Sequence, residues 1–175
     1  APLTYNSTDY ARLEQMQKEH DVYARKAEYM QAELQEKIHQ YSAHAADLFR
    51  AINSDMSGLF VVIKEKKVAI PGICKVVYRW KEDYCVGKRA LDRLERMVNC
   101  YYDDAMSHFR EEVILGDEEH YQRVCYWFAG VSIKAVAFLM AESKDNVYQR
   151  RLRLREKIES SDYPHKQIYL KLLGK

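Results

Sequence analysis

The apolar and aromatic residues between Leu13 and Leu59 constrain this chain most, because they recur at alternating steps of 3 and 4. That alternation is the heptad pattern of a helix that pairs with another helix along one seam. Two extra steps of 4 are stutters, which locally unwind a supercoil. No Pro or Gly precedes Gly58 in this stretch, so the pattern predicts one long helix of about 70 Å at ~1.5 Å per residue. The seam positions are Leu13, Met16, His20, Tyr23, Ala27, Met30, Leu34, Ile38, Tyr41, Ala45, Leu48, Ile52, Met56 and Leu59.

The apolar stripe is narrow over the first part of this helix. Between Thr8 and Gln40 it takes about two positions in each heptad, and most other positions are charged or Gln. A stripe of this width covers one seam and not a globular core. The sequence therefore predicts that this half needs a partner helix, either from this chain or from a second copy.

Two further long helices and a short tail helix complete the predicted fold. Pro71 suits the first turn of a helix, and Gly116 suits the position just after one. The predicted class is all-α, an elongated antiparallel three-helix bundle or coiled coil with a short C-terminal helix, forming a single domain over 1–175. Two β-branched runs within 59–70 indicate either a helical corner or a hairpin-like tip, and the tip is favoured. The predicted helices cover about residues 8–57, 71–115, 117–160 and 164–173.

The third predicted helix is apolar on nearly every side between Val124 and Ala141. Such a helix is central in a protein or lies in a membrane, and the Lys134 within this short run disfavours a membrane span. A thin rod of three helices does not cover a helix on every side, so a second copy or the tail is expected to help. The residues predicted to mediate self-association are Trp127, Phe128, Val131, Ala135 and Phe138.

Charge alternates along the chain, although the net charge is only +2. Lys and Arg exceed Asp and Glu within 64–96 and 134–175, whereas acidic side chains dominate 97–133. In an up-down-up bundle the basic segments 64–96 and 144–157 meet at one tip, which predicts either an anion-docking surface or simply solvated faces. The residues predicted to bind an anionic partner are Lys64, Lys66, Lys67, Arg150, Arg151, Arg153, Arg155 and Lys157.

The leading functional prediction is a non-enzymatic helical interaction or scaffold module. It is predicted to form homo-oligomers and to dock a protein with an acidic surface through the basic tip. The first alternative is a peripheral membrane-binding module on anionic lipid, similar in outline to BAR domains and using the same basic residues. The second alternative is a helical nucleic-acid-binding protein, which the small net charge disfavours.

Motifs for catalysis are not evident, and no enzyme activity, cofactor or metal site is predicted. Glu36-x-x-His39 matches part of a di-iron bundle motif. Both residues flank the seam and do not lie on it, which disfavours metal catalysis. His20 and His108 lie on seams, where polar interruption of a thin core is favoured over a pH switch or a ligand pair.

Cysteine usage favours a reducing compartment, and the predicted location is the cytoplasm. The four cysteines form no CxxC pair and no metal-ligand spacing, so all are predicted to be reduced. The N-terminus lacks the basic region and apolar run of a signal peptide. A mature chain that has already lost such a peptide would look the same.

Overall fold

The computed structural model describes residues 6–67 and 69–174, and every regular element in those ranges is an α-helix. The predicted all-α class is therefore confirmed. The helices are α1 (Ser7–Lys66), α2 (Pro71–Tyr84), α3 (Lys88–Tyr101), α4 (Ala105–Glu112), α5 (Glu118–Ala129), α6 (Ile133–Met140), α7 (Lys144–Glu159) and α8 (Lys166–Leu173).

The chain divides into two units, Ala1–Ala43 and His44–Lys175. The described residues of the first unit form the N-terminal part of α1. In the second unit the remainder of α1 and the helices α2 to α8 enclose a hydrophobic core. That the two units form one folding domain, as the sequence predicts, stays a prediction.

The second and third predicted helices, over 71–115 and 117–160, are each divided into shorter helices. The specific three-helix bundle is therefore not confirmed. Each break contains a residue in the left-handed region of φ, which turns the backbone out of the helical path. The residues with positive φ at these breaks are Gly87, Asp103, Asp104, Gly130 and Ala141.

The favoured hairpin-like tip at 59–70 is wrong, because α1 continues as a helix to Lys66. Phe60, Val61 and Ile63 are buried on this part of α1. Tertiary burial here outweighs the modest preference of β-branched residues for strands. Val68, within the predicted tip, lies outside the described residues.

The apolar helix predicted to be central corresponds to α5 and α6. Tyr126, Phe128 and Ala129 are fully buried. Phe128 stacks on Tyr169 of α8 at 6.0 Å between ring centroids, and Phe109 of α4 meets the edge of Phe128 at 5.6 Å. These aromatic contacts hold α4 and α8 against α5, and each adds about 0.5–1.5 kcal/mol beyond area burial. Among the described helices, none is both long enough and apolar enough to cross a bilayer.

Buried hydrogen bonds fix the C-terminal part of α1 within the second unit. The Asn53 amide donates to the carbonyl of Ala129 at 3.0 Å and accepts from the Trp80 indole at 3.0 Å. The Tyr102 hydroxyl donates to the carbonyl of Ala46 at 2.8 Å. Since a buried polar group is costly unless it is paired, these bonds select one position for α1 against α2, α3 and α5.

Candidate functional site

The seam of α1 in the first unit is exposed to solvent. Leu13 is 53% exposed, Met16 60%, Tyr23 70%, Met30 59% and Leu34 58%. The other seam positions of this unit, His20, Ala27, Ile38 and Tyr41, are exposed as well. Monomeric proteins seldom expose apolar side chains in so long and regular a row, so this seam is a candidate interaction surface.

Charged side chains border one edge of this seam in alternating order. With Leu13 at heptad position a and Met16 at d, position e carries no charge and position g alternates in sign. The e residues are Gln17, Ala24 and Gln31, and the g residues are Arg12, Glu19, Lys26 and Glu33. One edge of the seam therefore carries the charge order plus, minus, plus, minus.

Ion pairs one helical turn apart lie along the same helix. Lys18 pairs with Glu14 at 3.3 Å, and Lys37 pairs with Glu33 at 3.4 Å. Both pairs are well exposed, so each contributes only about 0.3–0.5 kcal/mol to the helix. They support α1 as a helix but leave its seam uncovered.

The basic residues predicted at the end of α1 lie on its exposed surface. Lys64 places its ammonium 5.7 Å from the centroid of the Phe60 ring. Lys66 and Lys67 are exposed. The neighbouring Glu65 pairs with Lys134 of α6 at 3.7 Å, which brings one acid into this basic segment.

The basic residues predicted on α7 differ in their contacts and exposure. Arg150 and Arg155 contact groups of this chain: Arg150 lies 3.6 Å from Glu142, and Arg155 lies 3.0 Å from Glu159. Burial lowers the pKa of Arg151 from its usual value. Arg153 and Lys157 are exposed one turn apart on one helix face. The meeting of these residues with Lys64, Lys66 and Lys67 at one tip stays a prediction.

The residues predicted to mediate self-association lie mostly inside the second unit. Trp127, Phe128, Val131 and Ala135 are each at most 5% exposed, because α5 and α6 pack within the chain's own core. Phe138 is 41% exposed, and its ring meets the edge of Phe60 at 6.2 Å. Self-association through these side chains stays a prediction, and the α1 seam offers far more exposed apolar surface.

Two histidines and a carboxylate gather where α4 ends and α8 begins. His108 and Glu112 lie one turn apart on α4, and His165 immediately precedes α8. The two imidazole rings stack at 3.8 Å with 9° between their planes. His165 Nδ1 contacts Glu112 Oε1, and one ligand atom from each of the three side chains lies within 4.8 Å of the others.

The Glu112 carboxylate is held by donors from α8. The Tyr169 hydroxyl donates to Oε2 at 2.8 Å, and the backbone N–H of His165 donates to the same oxygen at 3.3 Å. Burial raises the pKa of Glu112, but the hydrogen bonds from His165 and Tyr169 outweigh burial and leave that pKa below its usual value. Burial is the main cause of the raised pKa of Tyr169, which keeps its phenol a donor.

Sequence reasoning did not single out this cluster. The heptad pattern predicts His108 to be a polar interruption of a seam, and the metal-like motif in the sequence is Glu36-x-x-His39. The available signal was a His and a Glu four residues apart, which share one face of α4. Its third member, His165, is 53 residues from Glu112 in the chain, so only the fold brings it there.

The fold and the exposed seam together define an all-α protein whose first helix presents an exposed heptad surface within the described residues of the first unit. No protein-family model matches the chain, and neither a curated protein nor a solved structure shows significant similarity to it.

Proposed function

We propose that this chain is a helical interaction module that self-associates through the seam of α1. A second copy packs against residues 12–34 in the antiparallel direction. The observation that supports this proposal is the exposed seam bordered by g residues of alternating charge. The coiled coil predicted from the sequence is thus proposed between copies of the chain.

The charges at position g favour the antiparallel direction. In an antiparallel pair, each g residue lies beside a g residue of the other helix, and a residues face d residues. When Leu13 faces Met30 of the second copy, Arg12 lies beside Glu33 and Glu19 lies beside Lys26. Every g contact then joins opposite charges, and each occurs twice by symmetry.

Shifting this register by one heptad reverses the charge pattern. A shift in one direction places Glu19 beside Glu33 of the second copy and Lys26 beside Lys26 of the second copy. In the other direction Arg12 meets Lys26 and Glu19 meets its own counterpart. Like charges in contact destabilise a pair, so both neighbouring registers are disfavoured.

A parallel pair gains nothing from these charges. Its g residues would lie beside e residues, and Gln17, Ala24 and Gln31 carry no charge. It would also place His20 against its own counterpart. In the antiparallel register Leu13 faces Met30, Met16 faces the smaller Ala27, and His20 faces Tyr23, so no seam residue faces its own counterpart.

Charge reversal along the g edge tests the proposal. One variant, Glu19→Lys with Glu33→Lys, makes this edge entirely positive, and another, Arg12→Glu with Lys26→Glu, makes it entirely negative. Each variant alone should dimerise about 3 kcal/mol more weakly than wild type, roughly a hundredfold in the dissociation constant. An equimolar mixture should recover the wild-type affinity, because opposite charges again meet. Sedimentation equilibrium at low ionic strength measures all of these states.

A matched control separates this effect from a change in net charge. Asp21→Lys with Glu28→Lys adds the same charge at position b, away from the seam, and should dimerise like wild type. Wild type that remains monomeric at high protein concentration refutes self-association. A parallel pair is indicated if both g-edge variants dimerise as tightly as wild type.

An acidic protein surface is the second partner that we propose, at the exposed basic residues of α7. Arg153 and Lys157 support this proposal because they are exposed on one helix face, unlike Arg150 and Arg155, which contact acids of this chain. The free thiols of Cys85, Cys100 and Cys125 support a reducing compartment such as the cytoplasm for such an encounter.

Binding of labelled poly-glutamate, followed by fluorescence anisotropy over a salt series, tests this second surface. Arg153→Glu with Lys157→Glu should weaken binding about tenfold, whereas Lys18→Glu with Lys37→Glu on α1 should change it little. Equal losses in both variants would indicate a general charge effect. Binding to vesicles with anionic lipid but not to poly-glutamate would favour the membrane alternative.

A further inference from the structure

We propose that His108, Glu112 and His165 form a binding site for a divalent metal ion, with Zn²⁺ as the expected ion. This inference is independent of the self-association proposed for α1, since all three residues lie in the second unit. Imidazole nitrogens and a carboxylate oxygen are ligands that zinc takes in proteins, and three such ligands leave one coordination position open.

The helical geometry brings the donors close before any metal arrives. His108 and Glu112 share one face of α4 because they are four residues apart. The turn before α8 adds His165 from a different part of the chain, and the three ligand atoms lie within 4.8 Å of one another. Because the two imidazole rings stack nearly parallel, at least one ring must rotate before both can direct a nitrogen at one ion, and the donors are already close enough for that rotation to complete the set.

The surroundings of Glu112 resemble the support that metal ligands usually receive. The Tyr169 hydroxyl and the His165 N–H both hold Oε2, which leaves Oε1 directed at His165. A hydrogen bond to the outer oxygen of a carboxylate ligand fixes its orientation and commonly improves metal affinity by 10- to 100-fold. Tyr169 is itself fully buried and packs on Phe109 and Phe128, so the hydroxyl is rigidly positioned.

The site is partly open to solvent, which gives an ion a path to it. The side chain of Glu112 is 14% exposed and that of His165 is 40% exposed. A bound ion would join α4 to α8 and replace the direct contact between His165 and Glu112. Because the ion would bind the folded chain and not the unfolded chain, it would raise the free energy of unfolding by mass action.

Zinc titration of the metal-free chain by calorimetry tests the proposal. The wild type should bind one Zn²⁺ per chain at this site, and His108→Ala should weaken that binding at least about tenfold. His108→Ala leaves the Glu112 contacts with His165 and Tyr169 in place but removes the ring that stacks on His165, so a modest loss of stability without metal is expected and thermal unfolding measures it. If that variant is unstable, His108→Gln serves, since it keeps a planar side chain against His165.

Two further variants distinguish this site from surface histidines and from a purely structural cluster. His20→Ala with His39→Ala removes exposed histidines of α1 and should leave Zn²⁺ binding at the proposed site unchanged. Tyr169→Phe should weaken binding about tenfold while the visible spectrum of bound Co²⁺ persists. The proposal is overturned if wild type binds no Zn²⁺, or if His108→Ala binds it as tightly as wild type.

Discussion

Gly130 shows at the level of one residue how closely the C-terminal part of α1 packs on the other helices of the second unit. Its φ is +88°, and an added Cβ would lie 3.0 Å from the carbonyl oxygen of Arg50. Gly116 has nearly the same φ, +91°, but an added Cβ there would meet open space. The two glycines therefore separate the cost of backbone conformation from the cost of a steric clash.

We expect Gly130→Ala to destabilise the chain by about 3 kcal/mol or more, and Gly116→Ala by about 1 kcal/mol. Both variants place a side chain at positive φ, but only the first presses a methyl group against the backbone of Arg50. Urea unfolding measures both free energies. Equal losses would show that the close approach of α1 at Gly130 is absent.

Glu112 gives a pH dependence at the same scale. Its pKa in the folded chain lies below the ordinary value of 4.5, so its contribution to stability is fully present above that pH. The contribution is lost as the pH falls through the lower pKa of the folded state. Without metal, Glu112→Gln should cost about 1–2 kcal/mol at neutral pH and progressively less in acid.

The neighbouring Glu111 provides the control for that experiment. Glu111 is exposed, so Glu111→Gln should change stability little at any pH. Unfolding free energies of both variants and wild type, measured from neutral pH downward, give the comparison. A loss at Glu112→Gln that stays constant into acid would mean that the charge of Glu112 is not the cause.

At the level of helices, the buried Arg123 links α5 to the segment between α6 and α7. Arg123 is 4% exposed and pairs with Glu142, while Glu119 lies farther away at 3.7 Å. Glu142 also receives Arg150 at 3.6 Å. Removing the acid would leave a buried guanidinium with weak compensation, which is far more costly than losing an exposed ion pair.

We therefore expect Glu142→Gln to destabilise the chain by about 2–3 kcal/mol, and Arg150→Gln by less than about 1 kcal/mol. Both variants remove one charge from the contact between Glu142 and Arg150, but only Glu142→Gln also removes the charged partner of the buried Arg123. Thermal unfolding at neutral pH compares them. Similar losses would show that Arg123 finds another partner or reaches solvent.

At the level of the whole molecule, the proposed antiparallel dimer makes a directional prediction. In a Cys100→Ser background, a Met16→Cys chain mixed with an Ala27→Cys chain should form a crosslinked dimer under oxidised glutathione. The Met16→Cys chain alone should crosslink poorly, because Met16 faces Ala27 in this register. Non-reducing electrophoresis gives the yields, and efficient self-crosslinking of Met16→Cys would indicate a parallel pair instead.

The heptad seam and the helical class were readable from the sequence, because both depend on local periodicity, whereas the exposure of the seam in the first unit was not. The alternating steps of 3 and 4 from Leu13 onward can be counted without knowledge of the fold, and these residues lie within α1 in the structure. The continuation of α1 through Phe60 to Lys66 was not readable. There the β-branched residues favour strand locally, and burial against α2 and α6 decides the outcome.

The helix breaks were partly foreseeable. Gly87 and Gly130 are ordinary break signals, but Asp103, Asp104 and Ala141 also adopt positive φ, and nothing in the local sequence predicts a turn at Ala141. The apolar composition of α5 predicted that this helix is buried. The helices that bury it could not be predicted, because their contacts with α5 depend on tertiary packing.

The sequence by itself determined that this chain is helical and that its first helix carries an apolar heptad seam bordered by alternating charge, since both follow from residue spacing along one helix. Only the tertiary structure decided that the apolar side chains of α5 are enclosed within the chain and that His165 joins His108 and Glu112. Those outcomes depend on contacts between residues far apart in the chain, which form through packing of the whole second unit and have no counterpart in local spacing.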